Sequence, residues 1–387
     1  MPLTPPASSP PSARRSAQDW LQRIRELELP DRVRILNVCG GHERTITQAG
    51  LRSALPPNIE LIPGPGCPVC ICPEEDIFDA IQLALNEDII LLVFGDMLRV
   101  PVNVPRQEIR SLEQARAAGA DIRPIASPME AVSIATAQAD KAVVFFAAGF
   151  ETTMAPVAAM LAAGAPPNLK LLLSGRLTWP AVSMLMQSGE ARFDALVAPG
   201  HVATIMGSRE WQFVVDDHAL PTAVAGFTAE SLLAAFYSIL RQHLHGNAFL
   251  DNCYAEVVKP EGNRVAQQTL AQVMELGDAQ WRGIGVIADS GFRLSARYAA
   301  LDARPALLTQ AQPARTRAGE MPPGCDCTRV VLGNLYPDQC RLYGSACTPR
   351  SPVGPCMVSD EGACRIWWSS GRPSAIPANR RAATTTP

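Results

Sequence analysis

Eleven cysteines in a chain of 387 residues are the side chains with the most chemistry to offer, and they are unevenly placed. Cys67-Pro68-Val69-Cys70 follows Gly64-Pro65-Gly66 directly. A Cys-x-x-Cys pair between a strand and a helix signals redox or metal chemistry, because a helix N-terminus favours the thiolate. The plainer alternative is half of a structural zinc knuckle. Pro65 and Pro68 fix φ, while Gly64 and Gly66 let the backbone turn sharply. Upstream, Cys39-Gly40-Gly41-His42-Glu43 joins a thiol to a proton-handling ring and a carboxylate. The paired glycines allow close backbone approach and a nest of N–H groups around an anion. Cys39 suits a soft, low-spin metal; His42 is a ligand, a proton carrier or a hydrogen-bonding turn residue; Glu43 is a supporting group or part of a solvated face.

Six further cysteines fall in one C-terminal stretch: Cys325, Cys327, Cys340, Cys347, Cys356 and Cys364. Four of them read C-x14-C-x6-C-x16-C, from Cys325 through Cys340 and Cys347 to Cys364. This is neither a ferredoxin run nor a paired zinc ribbon, so the spacing leaves a [4Fe–4S] cluster and zinc equally open. The stretch is rich in Pro and Gly and poor in apolar periodicity, so a metal would have to supply the cross-links a core cannot.

These motifs need elements to hold them. Apolar runs at 33–38, 60–62, 89–94, 142–148, 169–173 and 195–198 read as strands, and helices at 77–85, 131–139, 155–163 and 177–187 separate several of them. A repeating β-α pattern implies parallel sheets. At least five strands end in glycine-rich or polar words: Cys39–Glu43, Gly64–Cys70, Gly95-Asp96, Gly149–Thr153 and Pro199-Gly200-His201-Val202. Ligands bind outside that edge in open parallel sheets. Gly95-Asp96 is explained as a mere turn; Cys39, His42, Glu43, Glu151 and His201 are not. The reading is α/β: two doubly wound parallel-sheet domains facing a cleft, 17–125 and 126–226, plus a mixed helical and loop-rich cysteine domain, 227–370. Helix is expected at 261–276 and a short strand at 283–288. Tails 1–16 and 371–387 are expected to be disordered.

Composition excludes some functions. A net charge of −3 gives no reason to expect nucleic acid, and no apolar run is long enough to cross a bilayer. Arg14-Arg15 lacks a following apolar segment, so no secretory or twin-arginine signal is expected and the chain reads as cytoplasmic. Disulfide scaffolding is then not the expected use for so many thiols.

The words quoted above, with Cys347-Thr348-Pro349, Gly354-Pro355-Cys356-Met357-Val358-Ser359 and Glu361-Gly362-Ala363-Cys364, run in order from about residue 31 to about 368. Together they make the chain resemble the hydrogenase maturation protein HypD family. The resemblance implies two α/β domains and a third carrying a [4Fe–4S] cluster. It implies a redox-active scaffold for assembling the Fe(CN)2CO group of [NiFe]-hydrogenases. It implies a small HypC-type chaperone and a HypE-type cyanide donor as partners, with the hydrogenase large subunit served indirectly. By this match Cys39 is the iron-site thiol, Cys67 and Cys70 are the redox pair and further candidate metal ligands, and Cys325, Cys340, Cys347 and Cys364 hold the cluster. Cys39, Cys67, Cys70, His42, Glu43 and His201 are the expected reaction residues. Cys327 and Cys356 are cysteines of the family motifs too, which leaves the fourth cluster ligand between Cys325 and Cys327. Cys72 and Arg365-Ile366-Trp367-Trp368 depart from the family pattern. The competing reading is a cluster-dependent thiol–disulfide reductase; zinc without iron would instead mark a binding protein.

Overall fold

The computed structural model describes residues 15–189, 193–307 and 321–370. The expected tails 1–16 and 371–387 lie outside it apart from Arg15 and Ser16, and Ser16 caps a helix over Ala17–Arg25.

Among the described residues eleven strands are formed: β1 Val33–Asn37, β2 Ile59–Pro63, β3 Ile89–Phe94, β4 Ile122–Ile125, β5 Ala142–Gly149, β6 Leu169–Arg176, β7 Ala195–Pro199, β8 Thr222–Ala225, β9 Leu250–Asn252, β10 Met274–Trp281 and β11 Gly285–Leu294. They make two sheets. The first, in order β2-β1-β7-β8-β9, is wholly parallel. The second runs β10-β11-β6-β5-β3-β4; its last four strands are parallel, and β11 and β10 add an antiparallel edge.

Strand side chains alternate between faces, so each central strand feeds two cores. Leu91 and Val93 of β3, with Val144 and Phe146 of β5, enter one core, while Ile90, Leu92, Val143 and Phe145 enter the opposite one. In the first sheet Val33 and Ile35 face one core, and Leu36 faces the other. Burial on both faces is what a parallel sheet requires, and it explains why these strands read as continuous apolar runs.

The topology corrects the expected division of the chain. The segment 17–125 contributes β1 and β2 to the first sheet but β3 and β4 to the second; 126–226 is divided likewise. Strand pairing is non-local, and apolar runs of similar composition do not announce which sheet they join. The segment 227–370 is not one separate unit either. Its helix Ala229–His245 and β9 belong with the first sheet, and β10 and β11 complete the second. The helix expected over 261–276 stops at Val273, where β10 begins. Only 321–370 forms the loop-rich cysteine lobe, and it lacks a core of its own. Cys327, Val330, Val331, Cys347, Cys356, Met357 and Cys364 pack into the same core as Cys67–Cys72 and one face of β3 and β5.

Candidate functional site

Each sheet reverses its strand order once. In the first the chain leaves β1 for β2 and returns to its other side with β7; in the second it leaves β3 for β4 and returns with β5. Such reversals open a crevice at the carboxyl ends of the strands. The two crevices face one another across a cavity of about 770 Å³. Its walls include Cys39 after β1, His201 after β7, Asp96 after β3, and Phe150, Thr152 and Thr153 after β5.

Cys39 is the last residue before the helix Gly40–Gln48 and lies half-buried in the cavity wall. Removal from water pushes its thiol up to about 12. The backbone N–H groups of His42 and Gly41 point at the sulfur and offset part of this, while the nearby Glu361 carboxylate adds to the rise. The free Cys39 is therefore a neutral thiol at neutral pH, and metal binding there must release a proton.

Parallel pairing of β1 with β2 brings the second motif alongside. The Gly40 N–H donates to the Gly66 carbonyl at 3.2 Å. A β-carbon on Gly66 would lie 2.6 Å from the backbone of Val38 and Cys39, so only glycine fits there. Cys67 caps a one-turn helix, Pro68–Ile71, and is joined to Cys70 as a disulfide whose residues are 5 % and 3 % exposed. Gly66 and Pro68 reach the cavity wall, whereas the disulfide lies behind them in the core shared with the cysteine lobe.

His42 and Glu43 stand apart from the cavity. Both are buried, and neither lines the cavity. The His42 ring sets Nε2 3.0 Å from the Ala225 carbonyl and Nδ1 3.1 Å from the Asn37 Oδ1, and a neutral ring, with one N–H, donates to one of the two. Burial lowers its pKa to about 3, so it is neutral. Asn37 donates to Glu43 at 2.7 Å and to the Cys39 carbonyl at 3.1 Å. Glu43 is ion-paired with Arg52, whose guanidinium stacks 5.2 Å over the Trp367 ring. These residues tie β1, the Cys39 helix, β8 and the C-terminal helix Ala363–Ser369 together. None of them lines the cavity wall beside Cys39. His201 does line the cavity, its ring stacked on Phe227 at 3.6 Å, and partial burial lowers its pKa. Glu151 turns inward: its carboxylate accepts from the Thr178 N–H at 2.6 Å and hydroxyl at 2.8 Å, and burial raises its pKa to about 7.

Sequence reasoning missed four contributors. Glu361 reaches the cavity from the cysteine lobe because its turn rests on Gly40, where a β-carbon would lie 2.5 Å from that of Glu361. Asp96, dismissed as a turn residue, faces the same space. Burial first, then mutual repulsion among Asp96, Asp360 and Glu361, holds Asp96 and Glu361 above the usual carboxylate range. Phe227 stacks between His201 and His42, and Asn37 joins the buried network. Glu361 carried a signal, its place inside a quoted cysteine motif, and so did Asp96, at the end of a predicted strand.

In the lobe, the Cys325 and Cys327 sulfurs close on Gly354, where a β-carbon would collide with both. Cys356 lies between Cys327 and Cys364 in thiol–thiol contact. The Cys347 sulfur accepts the Val353 N–H at 3.4 Å. Cys340 donates toward the Gly324 carbonyl and lies within electrostatic reach of Cys325. Among the described residues no group of three or more Cys, His, Asp or Glu is already spaced around a metal ion. The donor chemistry nevertheless fits an iron–sulfur cluster: soft sulfurs, N–H groups aimed at them, and a segment without its own core.

A family model described as "Hydrogenase formation hypA family" (HypD) matches residues 15–371. A putative hydrogenase expression/formation protein of Methanocaldococcus jannaschii is 38% identical over 356 residues, covering 91% of this chain and 96% of that protein. The hydrogenase maturation factor HypD of Rhodobacter capsulatus is 38% identical over 88% of this chain and 89% of its own length. For HypD of Escherichia coli the identity is 38%, over 87% and 88%.

Proposed function

Since this chain belongs to the HypD family of hydrogenase formation proteins, we propose that it is a maturation factor whose cavity is an assembly seat for the iron of the [NiFe]-hydrogenase centre. One observation carries this reading: Cys39 stands between two facing crevices, backed by the N–H groups of Gly41 and His42, with His201, Asp96 and Glu361 on the walls. The substrate is iron acquiring cyanide and carbonyl ligands. Electron-rich low-spin iron takes a soft thiolate donor. Cys39 supplies one from a fixed backbone, and a HypC-type chaperone would supply a second that can later release. A HypE-type donor would bring cyanide, and the finished group would pass on to the large subunit. Asp96 and Glu361 are placed to accept the proton that Cys39 gives up when iron binds.

Cys340, Cys347 and Cys364, with Cys325 or Cys327, would hold the [4Fe–4S] cluster; when bound it supplies one-electron transfer. The Cys67–Cys70 disulfide takes two electrons and two protons to become a dithiol. Its burial in the core shared with the lobe gives those electrons a short path. That same packing favours the second reading, a cluster-dependent disulfide reductase, which has no use for Cys39.

The test is infrared spectroscopy of the chain isolated with its small partner. Cys39→Ala should abolish the cyanide and carbonyl bands while leaving iron and sulfide in the lobe. Bands of normal intensity would end the proposal.

A further inference from the structure

We propose that Arg282 is the counter-charge of the cysteine lobe, a buried guanidinium whose free N–H groups are reserved for an anionic sulfur of the iron–sulfur group held there. This rests on the reading above that the lobe carries such a cluster.

Arg282 forms the turn between β10 and β11 and is 2% exposed. Its backbone N–H donates to the Ile71 carbonyl at 2.9 Å, pinning the turn to the Cys67–Cys70 helix. Its Nη2 donates to the Pro101 carbonyl at 2.7 Å. Nε and Nη1, both buried, have no partner, and among the described residues no carboxylate is paired with it. A guanidinium stays protonated in a protein and cannot escape burial by losing charge. Left with two unpartnered nitrogens, Nε and Nη1, and no counter-ion, it is costly to keep. The arrangement calls for an anion.

The surroundings indicate which. Gly283, the next residue, packs on the Thr328 side chain, one residue past Cys327. Trp281, the preceding residue, lies in the core that holds Cys67, Cys70, Cys327, Cys347 and Cys364. Cys72 and Cys325 both lie within electrostatic reach of the guanidinium. With no paired carboxylate among the described residues, the guanidinium still lacks an anion. A cluster ligated by thiolates supplies one. Arg282 is a positioning and charge-setting residue on this account, since it acts through the cluster and not on the iron cargo.

The consequence is a redox one. Adding an electron to a cluster makes it more negative, and a fixed positive charge in a low-dielectric core favours that state. The test uses the full chain purified anaerobically, with iron and sulfide counted, then titrated with dithionite as the one-electron donor and followed by electron paramagnetic resonance. In Arg282→Met the reduced-to-oxidised ratio at fixed ambient potential should fall at least tenfold, a shift of 59 mV for a one-electron couple. Arg282→Lys should recover most of the shift, which a merely structural role would not predict. Should Arg282→Met fail to fold, Arg282→Gln, which keeps a donor for Pro101 without the charge, is judged by the same criterion. A neutral variant with a full cluster at the wild-type potential overturns the inference and leaves the cluster reading standing. A wild-type chain without iron and sulfide overturns both.

Discussion

Arg52→Met tests whether the Glu43 network is a brace. Glu43 presents a side chain 4% exposed, paired with an Arg52 side chain 20% exposed. Removing one partner of a buried pair costs about 3–5 kcal/mol, because the remaining charge is stranded. Arg52 is partly open to water, and Glu43 keeps the Asn37 donor, so the low end applies, about 3 kcal/mol. The stack over Trp367 contributes about 0.5–1 kcal/mol of that loss. Glu43→Gln retains an acceptor for Asn37 and strands no charge in the Arg52→Met background. The double variant should therefore sit only about 1 kcal/mol below wild type, about 2 kcal/mol more stable than Arg52→Met alone, a recovery that independent sites would not give. Urea unfolding followed by circular dichroism measures the cycle, and the rate of Cys39 alkylation reports the site. If Arg52→Met moves the midpoint negligibly, or if the double variant is as unstable as the single, the brace is not there. If the double variant is stable but the iron cargo no longer binds, Glu43 has a chemical role that the geometry does not assign to it.

Two further outcomes follow from the site. In the cluster-free protein the Cys39 alkylation rate should climb about tenfold per pH unit from pH 7 to 10 without levelling, since its thiol lies near 12 rather than near the ordinary 8.5; a plateau by pH 9 refutes this. The sign for stability follows: the folded chain keeps a proton that the unfolded chain releases between about pH 9 and 12, so this group's contribution is present below that window and is lost as pH rises through it. Gly40→Ala should destabilise the chain by about 1–3 kcal/mol, as overpacking does, because the new β-carbon meets Glu361 at 2.5 Å. Faster proteolysis within 321–370 would confirm that the lobe has been pushed off, and an unchanged thermal midpoint would count against it.

The sequence alone determined the α/β class, because continuous apolar runs separated by helices have few other ways to be buried. It placed Cys39 and His201 at strand ends beside a cleft, since glycine-rich and polar words at those ends are what a parallel sheet exposes. It could not determine which strands share a sheet: β1 lies beside β7 across some 160 residues, and nothing in either run encodes that pairing. It also could not tell which polar residues face the cavity. His42 and Glu43 sit two and three residues beyond Gly40, where the helical turn carries both into the interior, to Ala225, Asn37 and Arg52. Asp96, read as a turn residue, and Glu361, read only as part of a cysteine motif, share a cavity with Cys39 because the second sheet and the lobe close over the first. Local propensity acts over a few residues, and so it sets elements and their ends. Burial, charge pairing and the walls of a cavity are made by chain segments hundreds of residues apart, and those only the tertiary structure decides.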